Sequence, residues 1–224
     1  MSSGVQLNEP IAQFELGTER NFVYLVLDWN TLKAAIVDPQ KDLTVPLGAL
    51  KTHGFTLTAI LLTHSHSDHT AGVPELLESF PGLPVFAHAA ERKRLRKFNI
   101  PSFKPLNDGS IIEIGELRLE TLHTPGHSAG ACSYFLRRAG GPSFLLTGDT
   151  VFIQDCGRTD LDTGNNEDMF HSLRKIAQLD AESKSIVILP GHHYATACTA
   201  LLSTEIRTSP CFQCKSVEEL ARLN

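Results

Sequence analysis

The apolar residues occur in short runs separated by polar turns, and their spacing is typical of strands and helices. The β-branched and apolar runs Asn21–Asp28 and Lys33–Asp38 flank a polar turn, which predicts a β-hairpin. Val45–Gly54 is amphipathic and ends in glycine, as helices commonly do. Leu57–Thr63 is largely apolar, which is typical of a strand buried on both faces. The first part of the chain therefore predicts a hairpin, a helix and a buried strand.

Later segments continue this pattern, with strands in two groups and helices between and after them. The remaining predicted helices are Val73–Phe80, Ala89–Phe98 and Asn166–Leu179, and the remaining predicted strands are Pro84–Ala87, Ile111–Ile114, Leu117–Leu122, Ser133–Arg137, Ser143–Thr147 and Ile186–Leu189. Two packed sheets with helices outside satisfy this order better than one doubly wound parallel sheet. We therefore predict an α+β fold, a four-layer αβ/βα sandwich, as a single domain over 1–224 in which 199–224 form a short C-terminal tail.

Four candidate metal ligands lie within six residues, directly after the buried strand: His64, His66, Asp68 and His69. Ligands two residues apart suit a loop, because ligand pairs on one face of a helix are three or four residues apart. The alternative is a solvated polar loop that happens to contain histidine. Three histidines and an aspartate at this density are rare by chance, so the cluster predicts a metal site.

Three further candidates also stand where a predicted strand ends: His127, Asp149 and His192. Taken singly, His127 suits an ordinary loop and Asp149 suits a helix cap or a turn. In a layered fold, however, the strand ends gather along one edge, so residues distant in sequence become neighbours. We expect these three to join the cluster, with only one of the adjacent His192 and His193 acting as a ligand.

The ordered series His64-x-His66-x-Asp68-His69, then His127, Asp149 and His192, resembles the metal-binding signature of the metallo-β-lactamase superfamily over roughly residues 20–195. The resemblance implies a zinc or iron site, often binuclear, at the edge of an αβ/βα sandwich. Carried over by position, it implies one metal on His64, His66 and His127, a second on Asp68, His69 and His192, and Asp149 as a bridge. Asp68 and His69 are the implied catalytic residues. Such a metal pair would lower the pKa of a shared water and stabilise an oxyanion.

Two subfamilies compete, and both act on glutathione conjugates. The segment Cys156–Asp160 looks like that of the persulfide dioxygenases, and the short C-terminal tail also resembles theirs. Our leading hypothesis from the sequence is therefore a dioxygenase that oxidises glutathione persulfide to sulfite. It would hold one Fe(II) per chain on His64, His127 and Asp149, which leaves positions open for persulfide and O₂. Arg158 and Tyr194 are the candidates for binding the glutathione part.

The alternative is a hydroxyacylglutathione hydrolase of the glyoxalase II type, with two zinc, iron or manganese ions. Gly191 is closer to the hydrolase form, and His193 and Asp155 depart from the dioxygenase pattern. A purely structural metal is a third hypothesis. It is weaker, because structural zinc sites are usually closed and rich in cysteine.

Composition restricts the partners more than the chemistry. The 224 residues are 42% hydrophobic and 20% charged, with a formal net charge of −5 and no block of like charge, so nucleic acid and membranes are not expected partners. Residues 1–20 contain neither a leader pattern nor a spanning segment, which predicts a cytoplasmic protein. A homodimer is compatible with the resemblance.

Five cysteines, an odd number, are expected to be reduced thiols in a chain too large to need disulfides. Cys211 and Cys214 have the spacing of a zinc or redox pair. No second pair and no nearby histidine accompanies them, and we interpret them as ordinary thiols.

Overall fold

The computed structural model describes residues 9–181 and 185–223. The first eight residues, part of the N-terminal stretch interpreted as lacking a leader, lie outside the described residues, as do 182–184 and 224. Across the described ranges, no helix is long and apolar enough to cross a bilayer.

Fourteen strands and eight helices are assigned within those ranges. The strands are β1 Ile11–Leu16, β2 Asn21–Asp28, β3 Lys33–Val37, β4 Thr56–Leu61, β5 Val85–His88, β6 Phe103–Leu106, β7 Ile111–Ile114, β8 Leu117–His123, β9 Cys132–Leu136, β10 Ser143–Gly148, β11 Val151–Phe152, β12 Asp155–Cys156, β13 Ile186–Pro190 and β14 Ala200–Leu201. The helices are α1 Thr44–His53, α2 Ser67–Thr70, α3 Val73–Ser79, α4 Arg92–Leu95, α5 Asn166–Gln178, α6 Leu202–Thr208, α7 Pro210–Gln213 and α8 Val217–Leu220.

Two six-stranded sheets make up the centre of the fold. The first has the order β1-β2-β3-β4-β5-β6, antiparallel through β3 and parallel from β3 onward. The second has the order β14-β13-β10-β9-β8-β7, with β10 and β13 parallel and the other neighbours antiparallel. Both predicted hairpins, β2–β3 and β9–β10, are confirmed.

Three apolar clusters show how the layers stack. One lies between the sheets and includes Tyr24, Leu61 and Tyr134. A second covers the outer face of the first sheet with residues of α1 and α3, and a third covers the outer face of the second sheet with residues of α5. Helices outside two packed sheets form the predicted four-layer αβ/βα sandwich.

Several elements differ from the predictions. The segment 89–98 is not one helix, because two 3₁₀ turns flank the single turn α4. Strands β1 and β6 were not predicted. β6 has four residues and no alternation of buried and exposed positions, whereas β1 does alternate over residues 12–16. Residues 200–223 fold back as β14 and α6–α8, and Leu202, Phe212 and Leu220 of this segment are buried in the third cluster.

Candidate metal centre

The seven predicted ligands lie at the ends of four strands. His64, His66, Asp68 and His69 follow β4, the last two on the short helix α2, while His127, Asp149 and His192 follow β8, β10 and β13. The two sheets are tied together at this edge, because Phe22 N–H donates to the carbonyl of Gly191 over 2.7 Å. The edge therefore brings together residues separated by up to 128 positions, as the sequence predicts.

Six of the seven form two groups of three. The ligand atoms of His64, His66 and His127 lie within 4.8 Å of one another, and so do those of Asp68, His69 and His192. We call these groups the first and second tripods. They coincide with the two ligand sets that the resemblance implies.

Asp149 lies between the tripods. Its Oδ2 is 3.4 Å from both His127 Nε2 and His192 Nε2, and its Oδ1 is 3.4 Å from His69 Nε2. One carboxylate therefore faces both groups of ligand atoms, which is the arrangement a bridging ligand needs. The smaller set of the iron hypothesis, His64, His127 and Asp149, is assembled by the same geometry.

Hydrogen bonds on the outer ring nitrogens fix the orientation of the inner ones. His127 Nδ1 donates to the carbonyl of Arg158 and His192 Nδ1 donates to the carbonyl of Glu19, each over 2.8 Å. His69 Nδ1 donates to Asp38 Oδ2 over 3.0 Å. In each neutral ring the remaining nitrogen, Nε2, then carries its lone pair toward the centre.

The imidazole nitrogens and carboxylate oxygens of this arrangement suit a metal ion. His69 Nε2 and His192 Nε2 lie 3.1 Å apart with both Nδ1 atoms bonded elsewhere, so the space between them suits a cation, either a shared proton or a metal ion that displaces it. Nitrogens on one tetrahedral metal lie roughly 3.3 Å apart, given metal–nitrogen bonds of about 2.0–2.1 Å. Within the described residues, His64 Nε2 is also buried without a hydrogen-bond partner.

Asp38 supports both tripods from behind, and sequence reasoning missed it. Besides accepting from His69, its carboxylate accepts from Thr63 N–H over 2.7 Å and from Thr63 Oγ1 over 2.6 Å. Because the Thr63 hydroxyl proton is used on Asp38, Thr63 Oγ1 accepts from His64 Nδ1 over 3.1 Å. Asp38 is 3% exposed and thus orients one ligand in each tripod. It stands alone at the end of β3, so no sequence spacing marks it.

The electrostatics of the metal-free site favour protons where metals would lie. Burial favours neutral His192, but hydrogen bonds with Asp149 and Asp68 outweigh this effect and raise its pKa to about 9. Burial opposes the charge on Asp149 as well, yet the charge on His69 and bonds from His192 and His69 hold its pKa well below the usual range. Burial and the neighbouring His69 lower the pKa of His64.

Metal affinity should therefore rise with pH between 7 and about 9. At neutral pH, despite burial, the carboxylates of the site hold the pKa of His69 well above its usual value and that of His192 near 9, so a metal must displace protons from the second tripod and the apparent affinity should rise with pH up to at least about 9. Calorimetric titrations in two buffers of different ionisation enthalpy measure the released protons. Affinity that stays constant over this range would contradict the protonation state inferred for His192.

Two glycines allow the backbone to approach the centre closely. A Cβ at Gly157 would lie 1.8 Å from the carbonyl oxygen of Asp149, and a Cβ at Gly191 would lie 2.2 Å from Asp149 Oδ1. A side chain at either position would displace Asp149. The segment Cys156–Asp160 is therefore a packing element of the centre, because Gly157 lies against Asp149 and the carbonyl of Arg158 accepts from His127.

The two predicted substrate-binding residues occupy different settings. Tyr194 stacks on His192 with ring centroids 4.7 Å apart and an interplanar angle of 10°, and it is 57% exposed. Its phenol is therefore available at the mouth of the site. The guanidinium of Arg158 is engaged with Asp160 in two hydrogen bonds of 2.6 and 2.7 Å. His193 lies outside both tripods and bonds to Glu15.

Glu91 is a second buried acid that the sequence did not reveal, because it is a single glutamate without a motif. Its carboxylate accepts from Ser65 Oγ, from Ser128 Oγ over 2.7 Å and from Gly130 N–H over 3.1 Å. Ser65 belongs to the loop of the first ligands, while Ser128 follows His127 directly. Glu91 therefore fastens together the two loops that carry the first tripod.

Replacing Glu91 with glutamine should lower the free energy of unfolding by about 1–3 kcal/mol. The amide keeps the shape but turns an NH₂ group toward donors, which leaves buried partners unpaired. Urea denaturation measures the change, with the exposed Glu78→Gln as the control, expected within about 0.5 kcal/mol of wild type. Equal stability of the two variants would show that Glu91 does not fasten these loops.

The sequence profile of the metallo-β-lactamase superfamily matches residues 17–192, most of the chain. The chain belongs to this superfamily. Among solved structures, a metallo-β-lactamase from Staphylococcus aureus matches this superfamily member with a TM-score of 0.84 and 26% identity, covering 99% of this chain and 67% of that one.

Two further similar proteins are informative about the type of reaction. A hydroxyacylglutathione hydrolase from Aliivibrio salmonicida is 36% identical over 178 residues, which is 79% of this chain and 63% of that protein. This metallo-β-lactamase superfamily member thus spans less than two thirds of the length of that relative. The structure of ETHE1 from Myxococcus xanthus matches with a TM-score of 0.77 and 25% identity, covering 95% of this chain and 88% of that one.

Proposed function

We propose that this protein is a binuclear metallohydrolase that cleaves the thioester of a glutathione conjugate. The observation that carries the proposal is the second tripod. Asp68, His69 and His192 converge as closely as the first three ligands, and the two histidines have their outer nitrogens committed to Asp38 and to the carbonyl of Glu19. Residues that only supported a single metal from a distance would not have to bring two imidazole nitrogens and a carboxylate oxygen within 4.8 Å of one another.

When bound, two metals would polarise the thioester carbonyl and make a shared water acidic enough to supply the nucleophile at neutral pH. The residues of this chain would hold the metals and orient their ligands. Asp68 is kept in place by Asn21 Nδ2, which donates to its Oδ2 over 2.8 Å, while Gln40 Nε2 donates to Asn21 Oδ1 over 3.1 Å. This chain of amides fixes the carboxylate of the second tripod.

The roles of Asp68 and His69 become more specific in this proposal. Burial opposes charge on Asp68, but hydrogen bonds with His192 and His69 hold its pKa far below the usual range, so it is a poor proton acceptor near neutral pH. We assign both residues to holding metal and orienting water. Tyr194, exposed beside His192, is positioned to donate a hydrogen bond to the peptide part of the substrate.

The substrate class rests on similarity. The relatives named hydroxyacylglutathione hydrolase are about 35% identical to this chain. We accordingly choose S-D-lactoylglutathione as the probe. The guanidinium of Arg158 could reach a glutathione carboxylate only after leaving Asp160, so Tyr194 is the stronger of the two predicted substrate contacts.

A second candidate function, persulfide dioxygenase, is favoured by the Cys156–Asp160 segment and by the likeness to ETHE1. It would use His64, His127 and Asp149 for one iron. The structure accounts for part of that segment by packing, through Gly157 against Asp149 and through the carbonyl of Arg158 on His127. The segment therefore weighs less in favour of the dioxygenase than it does in the sequence alone.

Anaerobic thioester hydrolysis separates the two functions. Protein loaded with zinc, iron or manganese is expected to consume S-D-lactoylglutathione without oxygen, and His69→Ala should lose this activity. His171→Ala removes an exposed histidine of α5 outside the site and serves as the matched control. Oxygen uptake that requires glutathione persulfide, with no thioester loss under any of the three metals, would overturn the hydrolase in favour of the dioxygenase.

A further inference from the structure

Cys156 shares an apolar cluster on the outer side of the second sheet with two thiols that come more than fifty residues later, Cys211 and Cys214. Cys156 lies on β12, while Cys211 and Cys214 lie on and directly after α7, and all three are less than 10% exposed. Cys132 is buried elsewhere and Cys198 is exposed near His193. Cys211 and Cys214 have the sequence spacing of a zinc or redox pair. The fold, however, places Cys156 beside Cys211.

We propose that Asp155, Cys156 and Cys211 form a thiolate site for a divalent zinc-type cation, separate from the metal centre described above. The ligand atoms of these three residues lie within 4.8 Å of one another. Cys211 Sγ is 3.7 Å from Asp155 Oδ1. Across one tetrahedral zinc, with Zn–S of about 2.3 Å and Zn–O of about 2.0–2.2 Å, sulfur and oxygen lie roughly 3.6 Å apart.

The donor set selects the cation. Two thiolates and one carboxylate favour zinc and similar soft or borderline ions over magnesium, calcium or manganese. The metal centre at the strand ends offers imidazole and carboxylate only. Cys214 is not part of the group whose ligand atoms converge, and its thiol donates instead to the carbonyl of Pro210 over 3.4 Å. Asp155 is exposed, so an ion can enter from its side and water can fill a fourth position.

Binding would exchange protons for metal. In the metal-free protein the thiol of Cys211 stays protonated, because contact with Cys156 and burial raise its pKa. The two thiols release their protons to solvent as two Zn–S bonds form, and the carboxylate adds a Zn–O bond without losing a proton. The site then carries one net negative charge and needs no oxidant or reductant.

The position of the site gives it a structural role. Cys156 precedes Gly157 and Arg158, which pack against Asp149 and accept the hydrogen bond from His127. Cys211 lies on α7, in the segment that folds back after β13. A shared ion would therefore fasten α7 to the strand that supports the metal centre.

Cobalt substitution tests the proposal without reference to turnover. Wild-type protein loaded with Co²⁺ under anaerobic, thiol-protecting conditions is expected to show a thiolate-to-cobalt charge-transfer absorption, which histidine and carboxylate ligands do not produce. Cys211→Ser should lose this absorption, Asp155→Asn should weaken it, and Cys198→Ser should leave it unchanged. With zinc, wild type should retain one more ion per chain than Cys211→Ser.

Two outcomes would overturn the proposal. One is wild-type protein that binds cobalt without any thiolate absorption, a result that depends on no variant. The other is an absorption that persists in Cys211→Ser but disappears in Cys198→Ser, which would place the thiolate near His193 instead. Neither outcome depends on whether the protein hydrolyses thioesters, so failure here leaves the proposed function unaffected.

Discussion

Replacing Asp149 with asparagine is expected to lower kcat/KM for S-D-lactoylglutathione by about 10³-fold. Its carboxylate lies 3.4 Å from His127 Nε2 on one side and from His69 Nε2 on the other, so the substitution removes negative charge from both tripods at once. Metal ions supply several kcal/mol of charge stabilisation in the transition state, and each loss of about 1.4 kcal/mol is tenfold in rate. Steady-state kinetics after metal loading gives the measurement.

The control for this variant is Asp162→Asn, which removes a surface carboxylate paired with Arg94. Exposed ion pairs contribute little, so its kinetics should match wild type. Metal content must be determined for both variants, because loss of metal and loss of rate are expected together in Asp149→Asn. If that variant keeps two metals and activity within about tenfold of wild type, Asp149 does not bridge them.

Asp38→Asn should weaken metal binding in both tripods by about 10- to 100-fold, the usual range for a residue that orients metal ligands. The amide places an NH₂ group opposite His69 Nδ1 and Thr63 Oγ1, where the carboxylate accepts hydrogen bonds. His69 must then carry its proton on Nε2, the atom that faces the metal. Asparagine also tolerates the left-handed backbone of position 38, where φ is 50°, so the variant tests the hydrogen bonds and not the turn.

Thr63→Val is the matched comparison for Asp38→Asn. Valine keeps the β-branched shape and the Thr63 N–H bond to Asp38, but it removes the oxygen that accepts from His64 Nδ1. Affinity should therefore fall for the first tripod alone. Competition with a chromophoric chelator resolves the two sites. Asp38 bonds directly to His69 but reaches His64 only through Thr63. Equal losses of affinity at both sites in Thr63→Val would contradict this arrangement.

The convergence of the candidate ligands could be predicted from the sequence because they follow strands, and strands in a layered fold end together. His127, Asp149 and His192 are each ordinary in isolation, yet each stands at a strand end, and the sheets bring those ends to the His64–His69 loop. The αβ/βα architecture could be predicted for the same reason, from two groups of strands with intervening helices. The four-residue strand β6 lacks the alternation that such prediction needs, whereas β1 alternates apolar and polar residues over residues 12–16 and could have been predicted.

The supporting residues could not be predicted, because their roles come from tertiary contacts alone. Asp38 and Glu91 are single acids without a motif, and only the folded chain shows each accepting three or more hydrogen bonds from ligand-bearing loops. Likewise, the two cysteines at 211 and 214 looked like an isolated pair until the fold placed Cys156 beside Cys211.

The side-chain contacts of the Cys156–Asp160 segment bear on the choice between the two reactions. The amino-acid sequence of the Cys156–Asp160 segment, taken alone, favours a dioxygenase. In the structure, Gly157 and the carbonyl of Arg158 serve the metal centre by packing and hydrogen bonding, while the Arg158 side chain pairs with Asp160. The two complete tripods then became the stronger observation, and they favour hydrolysis.

The number of metal ions in the centre is the central quantity. Zinc bound per chain should be measured by elemental analysis in Cys211→Ser, which removes the proposed thiolate site from the count. Two ions per chain, falling to one or none in Asp149→Asn together with the loss of thioester hydrolysis, is the result we predict. A single ion per chain in protein with full hydrolytic activity would contradict the binuclear centre.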